Sequence, residues 1–145
     1  MITIALCSSA NFYRQLVDVQ AELERLGYRI VIPAAAEKMK ESEDYDVTHV
    51  KTWFSNDKDY HKKSILIKSH FIEIESVDSI LVLNYEKNGM PNYIGGNVLM
   101  EMAVAFYLNK PIFIFNEIPK ESNFLEEIKG MEPIVLHSKL ERLPK

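Results

Sequence analysis

The chain has 145 residues and a formal net charge of −4, which suits a single domain with its own core. The negative charge disfavours a nucleic-acid backbone as a partner, although a small anionic ligand needs only local N–H groups and one or two cations. The single cysteine, Cys7, excludes an intramolecular disulfide. The apolar run at residues 2–6 is too short for a membrane span or a signal peptide. We therefore expect a cytoplasmic protein that binds neither membranes nor nucleic acid.

The first part of the chain predicts two strands with a helix between them. Residues 2–6 are short, apolar and β-prone, which is typical of a buried strand. Apolar residues recur at helical spacing over residues 16–26, and Gly27 ends that helix. Residues 28–32 predict a second strand, which Pro33 stops.

Residues 37–63 are dense in charge and show no clean period, and Trp53 and Phe54 form their one aromatic cluster. Such a segment is either a solvated excursion or a lid over a site. A helix is predicted from about residue 57 to residue 76.

The second half of the chain predicts three more strands. Residues 79–84, 111–116 and 133–136 are the apolar runs, with a short helix at residues 122–129 before the last of them. Strands that alternate with helices indicate a parallel sheet covered on both faces. The expected fold class is α/β, a five-stranded parallel sheet sandwiched by helices in a doubly wound, flavodoxin-like or Rossmann-like arrangement.

In such folds, ligands bind beyond the carboxyl ends of the strands. Small or amide side chains follow the predicted strands there, namely Ser8, Ser9 and Asn84. We take these three as candidate binding residues. A plain turn for the serines and a strand-end cap for Asn84 are equally open.

A single carboxylate interrupts the helix predicted after residue 93. The run from 93 to 108 opens with Gly95 and Gly96 and is apolar on nearly every face, which indicates burial. A buried carboxylate is costly unless it is paired, hydrogen-bonded or near an opening. Glu101 lies near the helix start, where free N–H groups and the dipole favour an anion. Val98, three residues earlier, cannot form a capping box with it. The pattern is typical of a nucleophile or a ligand clamp.

Several common sites are disfavoured by the sequence. No GxGxxG follows the first strand and no GxxxxGK[ST] is present, which disfavours a dinucleotide site and excludes a P-loop. The histidines show neither an HExxH motif nor paired spacing with cysteine, so the sequence predicts no metal site. No cofactor is indicated.

Four segments together resemble the core of the nucleoside 2-deoxyribosyltransferase family, whose superfamily includes the 2'-deoxynucleoside 5'-phosphate N-hydrolases. They are the Asp and apolar strand at 78–84, the pair Gly95-Gly96, the Glu with small residues at 101–105, and Lys110-Pro111-Ile112. The resemblance implies one such domain over residues 1–145.

The resemblance implies an N-glycosidic-bond hydrolase or transferase that acts on a nucleoside or nucleotide. Glu101 would attack the anomeric carbon, and a second base or water would resolve the glycosyl-enzyme. Gly95, Gly96 and Asn97 would hold the sugar or its 5' end, while Ser8 and Ser9 would line the pocket. Family members form dimers or larger assemblies, so a homodimer or higher homo-oligomer is also implied.

Two positions depart from the family pattern, and the lesser is Met102, which stands where the family usually has a Gly after the helix Glu. The family has an acidic residue two turns before the Asp that matches Asp78, and this chain has His70 there. A histidine could protonate a leaving base, because its pKa is near neutral. The substitution, together with the lack of a second obvious catalytic carboxylate, favours the alternative hypothesis of a catalytically weak nucleotide-binding or sensing module. A structural oligomer is a third and weaker hypothesis. The sequence leaves open the base, the sugar and the phosphate requirement.

Overall fold

The computed structural model describes residues 1–145 and contains one five-stranded sheet in which all strands are parallel. The strand order is β2-β1-β3-β4-β5, the flavodoxin-like order of a doubly wound fold. The predicted fold class is confirmed. The strands are β1 (Thr3–Cys7), β2 (Arg29–Val31), β3 (Ser79–Val82), β4 (Ile112–Ile114) and β5 (Ile134–Val135).

Five α-helices connect or follow the strands. They are α1 (Tyr13–Arg25), α2 (Ala34–Ser42), α3 (Tyr60–Ser76), α4 (Gly96–Tyr107) and α5 (Leu125–Gly130). None of them is both long enough and apolar enough to cross a membrane.

Helix α2 lies partly in the segment that the sequence predicted to be irregular. It begins with three alanines after Pro33 and buries Ala35, Ala36 and Met39. Alanine is the best helix former but adds little hydrophobic contrast, so the helical period was hidden. Three short 3-10 turns, at Val47–His49, Thr52–Phe54 and Asp57–Asp59, occupy the rest of the segment before α3.

The sheet is buried on both faces. The side chains of β1 alternate between these two faces. Ile4 and Leu6 belong to the apolar cluster that contains residues of α1 and α2. Ala5 and Cys7 belong to the opposite cluster, which contains residues of α3 and α4. Because side chains alternate along a strand, this register directs Cys7 towards α3 and α4.

The strand order reverses between β1 and β3, which pair with each other from Ile4–Ser79 to Cys7–Val82. A crevice forms at such a switch point, beyond the carboxyl ends of the strands. The sheet therefore places the residues after Cys7 beside α3 and α4.

Candidate functional site

A cavity of about 80 Å³ lies beyond the carboxyl end of β1. Ser8 and Ser9 line it from the β1–α1 connection, His70 from α3, and Asn97 and Glu101 from α4. Pockets that enclose drug-sized ligands measure roughly 300–1,000 Å³. A ligand as large as a nucleoside would therefore extend outward through the cavity mouth or displace part of its wall.

Glu101 is the buried carboxylate of this cavity, with only 4% of its surface exposed. Asn97, one turn earlier on α4, donates from Nδ2 to Glu101 Oε1 over 3.4 Å. The other oxygen, Oε2, lies 3.3 Å from His70 Nε2. That approach lacks the geometry of a hydrogen bond, and Oε2 has no hydrogen-bond partner. The Asn97 amide thus orients Oε1. Oε2 lies beside the His70 ring and makes no hydrogen bond.

His70 is equally buried and is contacted on both ring nitrogens. Nδ1 lies 2.8 Å from Oε2 of Glu73, one turn further along α3, and Nε2 lies 3.5 Å from Cys7 Sγ. Burial by itself lowers the pKa of His70, but the contacts with Cys7, Glu101 and Glu73 outweigh it and raise the pKa well above its usual value. These contacts therefore favour the protonated, imidazolium form of the ring.

Cys7 and Tyr13 remain neutral beside this pair. Burial, followed by the charge of Glu101, raises the pKa of Cys7 to about 12. The same two causes, in the same order, raise the pKa of Tyr13. A thiol that keeps its proton is a poor nucleophile, so Glu101 is the reactive group of this cluster.

Two half-buried lysines, Lys51 and Lys63, also line the cavity. Burial lowers the pKa of Lys51, and the charges of Lys87 and Lys63 lower it further. Burial also lowers the pKa of Lys63, which Glu101 partly offsets. No carboxylate forms a salt bridge with either lysine, and the Lys63 ammonium lies 5.3 Å from the centre of the Trp53 ring. Two lysines without carboxylate partners therefore line the cavity of a chain whose net charge is negative.

The structure brings together five of the eight predicted site residues: Ser8, Ser9, His70, Asn97 and Glu101. Asn84 does not line the cavity. It is fully buried and bonds backbone instead: its Oδ1 accepts from the N–H of Asn116, and its Nδ2 donates to the carbonyl of Glu117, each over 2.8 Å. Its geometry is that of a strand-end cap.

The two glycines also lie outside the cavity wall. Gly95 is the N-cap of α4 and Gly96 is its first residue. A Cβ added at Gly95 would come within 2.9 Å of the Tyr93 hydroxyl, so the absence of a side chain lets Tyr93 pack there. A substrate contact by either glycine stays a prediction.

Sequence reasoning missed three residues of the cluster: Cys7, Tyr13 and Glu73. The His70–Glu73 contact had a local signal, because residues three apart are neighbours on a helix. The contact between Cys7 and His70 had no local signal in the sequence, because it depends on the pairing of β1 with β3 and on the packing of α3.

No model of a known protein family matches this chain, and neither does any curated protein. The cavity combines an oriented carboxylate, an adjacent imidazole held by a second carboxylate, and two lysines. These are the groups of nucleophilic and general-acid catalysis on an anionic or polar substrate.

Proposed function

We propose that this protein cleaves or transfers the N-glycosidic bond of a nucleoside or nucleotide, with Glu101 as nucleophile and His70 as general acid. The observation that carries the proposal is the buried Glu101 carboxylate, with one oxygen held by Asn97 and the other without a hydrogen-bond partner beside the His70 imidazolium. The resemblance of residues 78–112 to nucleoside 2-deoxyribosyltransferases supports the same chemistry.

In the first step, Glu101 Oε2 attacks the anomeric carbon and the bond from that carbon to the base breaks. The electron pair of the broken bond goes to the base nitrogen, which takes the proton of His70 Nε2. Glu73 holds Nδ1 over 2.8 Å and stabilises the charged ring before the transfer. The products are a glycosyl ester on Glu101, a neutral imidazole and a free base.

In the second step, neutral His70 takes a proton from the incoming nucleophile, which attacks the anomeric carbon and releases the Glu101 carboxylate. Water gives hydrolysis, and the N–H of a second base gives transfer. Both outcomes retain the configuration at the anomeric carbon, because two displacements occur there.

Lys51 and Lys63 support a substrate that carries a 5'-phosphate. Both line the cavity without a carboxylate partner, and Lys87 adds to the same positive field. A phosphate between these ammonium groups would relieve their mutual repulsion and gain charge-assisted hydrogen bonds.

We also propose that the protein forms a homodimer or a higher homo-oligomer. Helices α3 and α4 pack against each other and carry six large apolar side chains that are exposed: Tyr60, Ile65, Ile72, Met100, Phe106 and Tyr107. Exposed apolar groups on neighbouring helices are typical of an interaction surface. Light scattering after gel filtration should give the mass of two or more chains, and a single-chain mass at every concentration would contradict this part.

The first experiment is a chromatographic assay for free base. Ribo- and deoxyribonucleosides and their 5'-monophosphates are incubated with the wild type, with Glu101→Gln and with Glu101→Ala. Base release should be lost in both variants, because neither retains a carboxylate at position 101. Glu126→Gln is the matched control, since Glu126 is an exposed glutamate of α5 and its loss should leave release unchanged.

Two outcomes would contradict the proposal. Release that survives in Glu101→Gln would mean that another group is the nucleophile. A wild type that is folded and stabilised by a nucleotide but releases no base would identify a binding or sensing module.

A further inference from the structure

We propose that Cys7, His70 and Glu101 form a zinc-binding site beside the cavity. The site goes beyond the proposed glycosidic chemistry and would compete with it for the same carboxylate. One potential ligand atom from each residue, Sγ, a ring nitrogen and a carboxylate oxygen, lies within 4.8 Å of the other two, and all three residues are buried.

The distances suit a tetrahedral zinc ion. Zinc binds sulfur at about 2.3 Å and imidazole nitrogen or carboxylate oxygen at about 2.0–2.2 Å, so neighbouring ligand atoms lie roughly 3.3–3.6 Å apart. Here Sγ of Cys7 is 3.5 Å from His70 Nε2, and that nitrogen is 3.3 Å from Glu101 Oε2. A carboxylate oxygen of Glu101 lies within 4.8 Å of the sulfur, so zinc binding requires the Glu101 side chain to move closer, and Oε2 makes no hydrogen bond that this movement would break.

The surroundings of the three residues also fit a metal site. A histidine that binds zinc usually donates its other ring N–H to a carboxylate, which fixes the orientation of the ring. His70 makes that contact with Glu73 over 2.8 Å. Glu101 Oε2 is a buried carboxylate oxygen without a hydrogen-bond partner, and a cation would satisfy it.

The ligand set selects the metal. One thiolate, one imidazole and one carboxylate favour zinc, whereas magnesium and calcium prefer oxygen ligands alone. Binding would release the thiol proton and the Nε2 proton to solvent, and the freed electron pairs of sulfur and nitrogen would bind the ion. His70 and Glu101 line the cavity, so a water molecule there can take the fourth position.

The test is titration of metal-free protein with Zn²⁺ in competition with a chromogenic chelator, together with the absorption spectrum of the Co²⁺ form. We expect one equivalent per chain and a cobalt spectrum with a thiolate charge-transfer band. Cys7→Ser should abolish the band, and Glu73→Gln should weaken zinc binding about 10- to 100-fold as an orienting partner of His70. Cys7→Ser changes one buried atom, and its melting temperature shows whether the variant is folded.

His49→Ala is the matched control, because His49 is exposed and contacts Asp44 and Asp46, which makes it a rival cation site. Zinc binding lost in His49→Ala and kept in Cys7→Ser would overturn the proposal, as would a folded wild type that binds no zinc. None of these readouts requires base release, so failure of the zinc site and failure of the glycosidic function are distinguishable. If both hold, Zn²⁺ should inhibit base release and a chelator should restore it.

Discussion

The buried pair of His70 and Glu101 gives a quantitative prediction for His70→Phe. The phenyl ring fills the site but carries no charge, so the Glu101 carboxylate stays buried without its ion-pair partner 3.3 Å away. Breaking a buried pair by removing one partner typically costs about 3–5 kcal/mol.

We therefore expect His70→Phe to lower the free energy of unfolding by about 3–5 kcal/mol at pH 7. The loss should be at least as large at pH 5 as at pH 7, because the variant lacks the histidine whose protonated form stabilises the fold. The pKa of His70 is raised in the folded state, so its stabilising contribution is fully present below the ordinary histidine pKa of about 6.5. That contribution is lost only as the pH rises through the higher folded value.

Urea unfolding followed by circular dichroism at pH 5 and pH 7 measures both quantities. His61→Phe, at an exposed histidine of α3, should stay within about 0.5 kcal/mol of the wild type. Adding Glu101→Leu to His70→Phe should recover much of the stability, because an apolar pair no longer leaves a buried charge. Equal stability of His70→Phe and the wild type at both pH values would refute the ion pair.

Three further predictions concern other parts of the site. The Cys7 thiol, with its pKa raised to about 12, should react with iodoacetamide at pH 8 at least about 100-fold more slowly than in the denatured chain, as measured by mass spectrometry. Asn84→Ala leaves two backbone groups without partners and should cost about 2–4 kcal/mol by urea unfolding, whereas the control Asn123→Ala, at an exposed asparagine, should cost little. Replacing Lys51 and Lys63 by Met should raise the ratio of KM for a nucleoside 5'-monophosphate to KM for the nucleoside about tenfold or more in steady-state assays.

The strands and most helices could be predicted because their buried residues form a local apolar pattern in the sequence. The apolar run at residues 79–84 contains β3 (Ser79–Val82), and the helical spacing from Leu16 onward matches α1. Helix α2 shows no such apolar pattern, because its buried face consists largely of alanines. Its position became visible only through its packing against α1, which is a tertiary contact.

Site residues could be predicted from the sequence only where neighbouring residues in the chain revealed them. Glu101 stood out as a carboxylate within an apolar helix, and the structure places it 96% buried in the cavity wall. The Cys7–His70 contact joins residues 63 positions apart. It depends on the alternation of side chains along β1, which points Cys7 to the α3 side of the sheet. No spacing of residues in the sequence predicts this contact.

Glu73 changes how the departure at His70 is interpreted. In the sequence, a histidine at the place of an acidic residue suggested weakened chemistry, because no second carboxylate was evident. The structure places Glu73 one turn later on α3, with its carboxylate 2.8 Å from His70 Nδ1. An acidic group is therefore still present, but it acts on the site through the imidazole. A carboxylate that holds a proton-bearing histidine raises the pKa of that ring and keeps a transferable proton beside Glu101 at neutral pH. The substitution is thus compatible with an acid that protonates a leaving base, and Glu73→Gln should lower base release while leaving the Glu101 carboxylate in place.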